Sequence, residues 1–411
     1  MNEQFDNLSI TITKNLDEKI KKSQGIFFTP FNIIKKSIEI IKNLIEPGKI
    51  LETLEPSCGS CQIINAIDKE FNTNITGIEY NKDIFNSIKN LEFKNNVELL
   101  NEDYIKYDIN NNKLYDLIIG NPPYFVRKKG DVHKYYQDYY SGRPNIFVEF
   151  IIHSLDKLKY DGILLFVLPK SVTNCLYYNK MREHIDKYYN IIDFIDCSSE
   201  KYIETGQDTV ILVIQNNYID NDNSRYINRI GDFISFNTVN NTCKIKELLT
   251  GAITLNELGY SVHVGNIDWS VAGKKNNKTL IDDGTKTRLI YSSDVVDHKL
   301  IEAKHKNIKK KHYIDKPGYT EPLLLVNRGF GKGDYKFEYC LIDMDKEYLI
   351  ENHLIFIRYK KLIPKDELLK KYNDIIKSLK TEKTKKFIDL YLGNNGLNCT
   401  ELQYILPIYL K

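Results

Sequence analysis

An apolar run that breaks abruptly into Asn121-Pro122-Pro123-Tyr124 is the stretch of this chain best equipped for chemistry. Tyr115 to Ile119 reads as a buried strand, which Gly120 and the two prolines must end. Neither proline donates to a sheet, so the chain leaves it with carbonyls unpaired and turned outward. The Asn121 amide oxygen, the Pro122 carbonyl and the Tyr124 ring thereby gather at a strand's carboxyl end. In open α/β sheets that end binds ligands. Two acceptors beside a ring suit a flat NH2 group conjugated to a π-system. Such a nitrogen is a poor nucleophile because its lone pair is delocalised. Accepting both of its hydrogens pulls it towards a pyramidal geometry and frees the lone pair, while the ring stacks on the flat group. The plainer reading is a proline-rich turn after a core strand.

The elements before this bend would have to position it. Gly25-Ile26-Phe27-Phe28-Thr29-Pro30 leads into a helical pattern from Ile33 to Leu44, with Thr29 expected as the cap and Pro30 at the first helical position. Lys49 to Leu54 reads as a first strand. It runs through Glu55-Pro56-Ser57-Cys58-Gly59-Ser60-Cys61 into a helix from Gln62 to about Phe71, the opening unit of a nucleotide-binding sheet. Cys58 and Cys61 form a CxxC without a second pair, so they are read as small turn residues and no metal is expected. Ile75 to Tyr80 is a second strand whose terminal Glu79 could take both hydroxyls of a ribose, or simply be solvated. Val97 to Leu100 is a third, followed by Asp103, which could accept from an adenine amino group, and Tyr104, which could lie against the base. Tyr115 to Ile119 is the fourth.

After the bend, Phe125 to Gly142 is polar, basic and tyrosine-rich and reads as a long loop. Asn145 to Lys159 and Leu176 to Tyr188 have helical spacing, and Gly162 to Leu168, Ile191 to Ile195 and Thr209 to Gln215 complete the strands. The loop Ser198 to Asp208 holds an aromatic, Tyr202, near its centre. The predicted fold is α/β: a seven-stranded, mostly parallel, Rossmann-like sheet in three layers. Residues 1–24 read as a polar N-terminal segment, 25–220 as the catalytic domain, and 226–411 as a second, α+β domain beyond the polar linker Asn221-Asp222-Asn223-Ser224.

With 411 residues there is room for two domains, and 42% hydrophobic against 27% charged residues is an ordinary globular balance. No apolar run reaches transmembrane length and the start is polar, so neither membrane nor secretion is expected, and seven unpatterned cysteines suggest a reducing, cytoplasmic setting. The net charge of +3 divides into −5 for residues 1–225 and +8 for 226–411. A basic second half suggests a polyanion partner, although a lysine-rich solvated surface would look the same. Lys309 and Lys310 in the run Ala303 to His312, and Arg328 and Lys332 around Asn327-Arg328-Gly329-Phe330-Gly331-Lys332-Gly333, are the candidate contacts to a nucleic-acid backbone or base edge.

The ordered set Phe28-Thr29-Pro30, Glu55-Pro56-Ser57-Cys58-Gly59, Glu79, Asp103 and Asn121-Pro122-Pro123-Tyr124 resembles the γ class of N6-adenine DNA methyltransferases of restriction-modification systems. In that class the Thr-Pro motif comes first and the DNA-recognition domain last, as here. The resemblance implies S-adenosyl-L-methionine as cofactor and a flipped adenine in duplex DNA as substrate. It implies that Thr29, Glu55, Ser57 and Gly59 hold the methionine part, with Pro123 and Asn121 beside them, Glu79 the ribose, and Asp103 with Tyr104 the adenine. Asn121 and Pro122 would accept from the target N6, and Tyr124 and Tyr202 would stack on the two faces of the base. Cys61 stands where the family usually has a second glycine, and its Cβ is expected to crowd the turn. A monomer is expected, with any cognate restriction endonuclease on a separate chain. The tetrapeptide also occurs in enzymes that methylate RNA or a protein glutamine amide, and a catalytically idle DNA-binding relative is a further alternative.

Overall fold

The computed structural model describes residues 5–107, 113–217, 222–273, 279–328, 336–392 and 396–410. Contacts divide the chain into two units, Met1–Cys243 and Lys244–Lys411.

In the first unit, seven strands form one sheet: β1 (Leu51–Glu55), β2 (Thr73–Ile78), β3 (Asn96–Leu100), β4 (Tyr115–Gly120), β5 (Leu158–Pro169), β6 (Asn190–Asp196) and β7 (Thr209–Gln215). Their order is β3-β2-β1-β4-β5-β7-β6, parallel except that β7 runs against both β5 and β6. The strands are apolar on both faces because helices cover both. Ile118, Leu164, Phe166 and Leu212 enter one core, while the intervening Leu117, Ile119, Leu165 and Val213 enter the other. This period-two alternation between two dry layers is what a near-continuous apolar run means in a mostly parallel sheet. Each such side chain, fully buried, stabilises by roughly 1.5–3 kcal/mol.

The helices are α1 (Asn7–Asn15), α2 (Glu18–Gln24), α3 (Phe31–Leu44), α4 (Gln62–Glu70), α5 (Lys82–Ile88), α6 (Tyr104–Tyr107), α7 (Lys134–Gln137), α8 (Ile146–Leu155) and α9 (Asn179–Tyr188). One expectation is filled in here and two are corrected. The first, the polar N-terminal segment, is two capped helices: Asp6 and Asp17 accept from the first-turn amides, and Gly25 closes α2 in the left-handed region at φ +65°. It packs on the unit through the Ser9–Ser60 hydroxyl pair at 2.6 Å. The second is Thr29, which does not cap α3. Pro30 is the N-cap residue, its carbonyl accepting from Ile33 and Ile34, and Thr29 lies buried one position earlier. The third is the domain boundary, which does not fall in the polar linker. Ile227, Ile234 and Phe236, beyond it, join the core under the sheet, so the first unit runs on to Cys243. The expected loop 125–142 contains α7 and a short 3-10 turn, Lys129–Asp131.

The second unit holds an antiparallel four-stranded sheet, Tyr260–Val264, Leu354–Tyr359, Leu323–Asn327 and Tyr339–Ile342 in that order, over a core that includes Leu323, Leu325, Ile350 and Leu354. A second four-stranded sheet contains Thr287–Ile290, and helix Lys365–Leu379 is the longest of this unit's described elements. Among the described residues no helix is long and apolar enough to cross a membrane.

Candidate active site

Strand order reverses between β1 and β4, and the crevice outside the carboxyl ends of strands at such a reversal is where doubly wound sheets bind ligands. β1 ends at Glu55, β2 is followed by Glu79, β3 by Asn101 to Asp103 and β4 by Asn121. A cavity of about 390 Å³ opens there. Thr29, Glu55, Ser57, Gly59, Glu79, Asp103, Tyr104, Asn121 and Pro123 all line it. Residues spread over almost a hundred positions are thus brought to one space, of a size usual for a small-molecule site.

The turn after β1 is tied to β2. Cys58 N–H donates to the Ile78 carbonyl at 2.9 Å, and Gly59 N–H donates to Glu79 Oε2 at 2.9 Å. Gly59 is left-handed at φ +51°, and a Cβ there would lie 3.2 Å from the Phe28 ring. Cys61 is also left-handed, at φ +62°, a conformation costing a side-chain-bearing residue roughly 1–2 kcal/mol. The expected crowding is not found. Cys61 is fully buried in the core behind the turn and is absent from the cavity lining, so its cost is conformational, without obstruction.

Two carboxyls lie deep in the site. Glu79 Oε1 accepts from Asn81 N–H at 2.6 Å, and burial pushes its pKa up to about 7 despite this bond and the one from Gly59. Glu55 is held well above the ordinary carboxylate range by burial first, then by Cys61 and Glu79. Its Oε2 is buried with no hydrogen-bond partner among the described residues. An orphaned acceptor on a residue that lines a cavity fits a ligand that brings a cationic donor. Asp103 accepts from Ile105 N–H at 3.2 Å and pairs with Lys106 at 3.3 Å. Tyr104 is buried, with its hydroxyl 2.9 Å from Ser154 Oγ.

The bend itself is held by the stretch between α2 and α3. Asn121 Nδ2 donates to the Phe27 carbonyl at 3.0 Å, which fixes the carboxamide with Oδ1 turned the other way. Gly25 makes the approach possible: a Cβ there would meet Tyr124 N at 2.7 Å. The Tyr124 hydroxyl lies within hydrogen-bond reach of Asn121 Oδ1 and 2.7 Å from the Val167 carbonyl, and its one proton serves one acceptor at a time. Burial pushes this phenol well up, with Tyr202 and then Cys197 adding to it. Tyr202 is 8% exposed, in the core that α3 and α4 help to form on the other face of the sheet, its hydroxyl 3.4 Å from Thr209 Oγ1. Pro122 is buried, and neither it, Tyr124 nor Tyr202 lines the cavity in this state.

An ion pair beside the site has no counterpart in the sequence reading. Arg127, in the cavity wall, donates to Glu149 Oε2 at 2.7 Å. Glu149 is fully buried on α8, and burial raises its pKa to about 7 against the pull of Arg127. A lone acid within Ile146-Phe147-Val148-Glu149-Phe150-Ile151-Ile152 was the signal for it. In the second unit Lys309 and Arg328 are exposed, and Lys310 is half-buried with Nζ over the rings of Trp269 at 5.1 Å and Tyr291 at 4.8 Å. Lys332 lies outside the described residues.

Residues 6–203 match the family model described as Eco57I restriction-modification methylase. Over that span the chain is similar to this family. It is 31% identical over 217 residues to the modification methylase CviBIII of Paramecium bursaria Chlorella virus NC1A, covering 52% of this chain and 55% of that protein. The match thus spans about half of that relative's own length. To the type II methyltransferase M.CvrRI of Paramecium bursaria Chlorella virus XZ-6E it is 24% identical over 407 residues, 96% of each chain. To M.HincII of Haemophilus influenzae it is 31% identical over 163 residues, 38% of this chain and 29% of that one.

Proposed function

We propose that this chain is a site-specific DNA methyltransferase that methylates N6 of an adenine flipped out of duplex DNA. The observation that carries the reading is the Asn121 carboxamide, whose nitrogen is held by the Phe27 carbonyl so that its oxygen is turned the other way, as an acceptor for a substrate amine. S-adenosyl-L-methionine, when bound, supplies an electrophilic methyl group. Glu55 Oε2, buried and unpaired, would take its ammonium, with Thr29, Ser57 and Gly59 around the methionine part. Glu79 would accept from the ribose, each oxygen keeping a lone pair beyond the amide it already bonds. Asp103 and Tyr104 would meet the cofactor's adenine.

On the substrate side, Asn121 Oδ1 and the Pro122 carbonyl would accept both N6 hydrogens. The nitrogen's lone pair is then released from the ring. Catalysis is alignment and hydrogen bonding, and N6 sheds its proton easily once it carries a fourth substituent. Tyr124 must first give up its bond to Asn121 Oδ1, so in the resting state the tyrosine hydroxyl stands in for the substrate amine. Extruding the base costs a few kcal/mol, which stacking on Tyr124 and Tyr202, at about 1–3 kcal/mol each, would offset. Tyr202 is enclosed in the core, so this requires the loop 198–208 to open. The second unit, with its excess of lysine, would supply phosphate contacts through Lys309, Lys310, Arg328 and Lys332.

The test is Asn121→Ala with plasmid DNA, read by sequencing for modified adenines and by calorimetry with the cofactor. Methylation should fall by at least about 100-fold with cofactor binding kept. Near-normal methylation would end the assignment. Tritiated methyl transfer to ribosomal RNA or to a glutamine-bearing protein, and not to DNA, would favour the other substrates that share this local chemistry.

A further inference from the structure

The second unit contains a cluster that methyl transfer does not use. Asp294 ends the short turn Ser292–Asp294 after the strand Thr287–Ile290, and His305 and His312 come from the lysine-rich run. One carboxylate oxygen of Asp294 and one ring nitrogen of each histidine lie within 4.8 Å of one another. Asp294 is fully buried, with Oδ1 accepting from Ala303 N–H and Oδ2 from Tyr291 N–H, both at 3.0 Å. Oδ2 also accepts from Arg288 Nη2 at 3.5 Å, whereas Oδ1 keeps a lone pair beyond the amide it bonds. The two imidazoles stack with centroids 4.6 Å apart at 26°, and Tyr291 meets His305 edge-on at 4.6 Å. His305 Nε2 and His312 Nδ1 are shielded from solvent and have no hydrogen-bond partner among the described residues. Two enclosed ring nitrogens without partners are an uncompensated cost unless something else engages them.

We propose that Asp294, His305 and His312 bind one divalent transition-metal ion of the zinc type. Two imidazoles and a carboxylate are the donor set such an ion prefers, whereas calcium and magnesium ask for oxygen throughout. A triangle with edges of 4.8 Å has its centre about 2.8 Å from each corner, so ligand atoms at ordinary zinc distances of about 2.0–2.1 Å need shift by less than ~1 Å. The cations nearby have other partners as well. Arg288 pairs with Glu302 at 2.7 Å as well as with Asp294 at 3.5 Å, and Lys310 sits over two aromatic rings. The ion would tie the run 303–312 to the turn at 292–294 and so hold the exposed lysines of that run in one arrangement. This inference does not rest on the methyl-transfer reading, and it departs from the expectation that the chain binds no metal.

The experiment titrates the full chain, freed of metal by a chelator, with cobalt(II) and then zinc(II). One ion per chain is expected, with visible cobalt bands and no thiolate charge-transfer band. His305→Ala and His312→Ala should each weaken binding by at least about tenfold. His312→Cys should keep the ion and gain a thiolate charge-transfer band, which a merely misfolded variant would not do. Absence of stoichiometric binding, binding unchanged in both alanine variants, or no new band in His312→Cys in a chain that circular dichroism shows to be folded would each overturn the proposal.

Discussion

Glu79 makes the apo protein's stability depend on pH in a direction opposite to that of most acidic residues. Its folded pKa stands at about 7 against an ordinary 4.5, because burial outweighs the two amides that bond the carboxylate. The folded state therefore binds this proton more tightly than the unfolded state does. Between those two values the folded chain holds more protons, and raising the pH across the window favours unfolding. At about 1.36 kcal/mol per pKa unit, the loss from this one group between pH 5 and 8 comes to roughly 2–3 kcal/mol. Glu79→Gln removes the titration and should flatten the pH dependence by that amount. The variant also removes a charge that raises the Glu55 pKa, which flattens the curve further in the same direction. Gln can accept from only one of the Gly59 and Asn81 amides through its oxygen, a loss of about 1–3 kcal/mol at every pH, so slopes must be compared and not absolute stabilities. The assay is denaturant unfolding at pH 5 and 8 without cofactor, followed by circular dichroism. The only tryptophan, Trp269, is in the second unit and serves as an internal control for unfolding that Glu79 does not govern. Equal slopes for wild type and Glu79→Gln would refute the assignment of the buried carboxyl.

Tyr202→Leu keeps much of the buried volume but removes the π-face. It should weaken binding of an extruded adenine by about 1–3 kcal/mol, and unchanged fluorescence of a 2-aminopurine at the target would remove Tyr202 from the stack. Arg182 is fully buried and donates to the carbonyls of Ile234, Val172 and Cys175, so Arg182→Met leaves three acceptors stranded and should lower stability by more than about 3 kcal/mol. A variant that unfolds at the same denaturant concentration as wild type would contradict this. DNA binding should weaken steeply with salt, and Lys309→Ala should reduce the slope of log K against log salt by about 0.9. An identical slope would take Lys309 off the phosphate backbone.

The central sheet was legible because both of its faces are dry: runs such as Leu117-Ile118-Ile119 and Leu164-Leu165-Phe166 carry no polar interruption, and helical spacing between them fixes the crossovers. The linker was misplaced because polarity reports exposure and not contact. Asn221-Asp222-Asn223-Ser224 is polar, yet the hairpin beyond it (Ile227–Ile230 with Phe233–Phe236) buries Ile234 and Phe236 in the first unit. The N-terminal helices were signalled by Asp6, Asp17 and Gly25 as caps, but their weak periodicity hid them. Crowding by Cys61 was expected from side-chain volume, whereas the positive φ at that residue decides which way the volume points. Among the lysines of 303–312, the two histidines looked like more of the same positive surface, and only the fold shows their nitrogens turned inward.

The bend at residues 121–124 shows where spacing stops being informative. The tetrapeptide supplies two acceptors and a ring at the end of a strand, but not the way the carboxamide faces. That is set by the Phe27 carbonyl, which reaches Asn121 only because Gly25 lets the backbone pass against the Pro123–Tyr124 peptide. A side chain at residue 25 would push that carbonyl away and free the amide to turn its NH2 towards an incoming amine, converting an acceptor into a donor of the wrong sign. The stretch from Gly25 to Phe27 is therefore part of the candidate active site in the same sense as β4. Its weak sequence signal reflects the fact that a single glycine and a single backbone carbonyl carry its contribution.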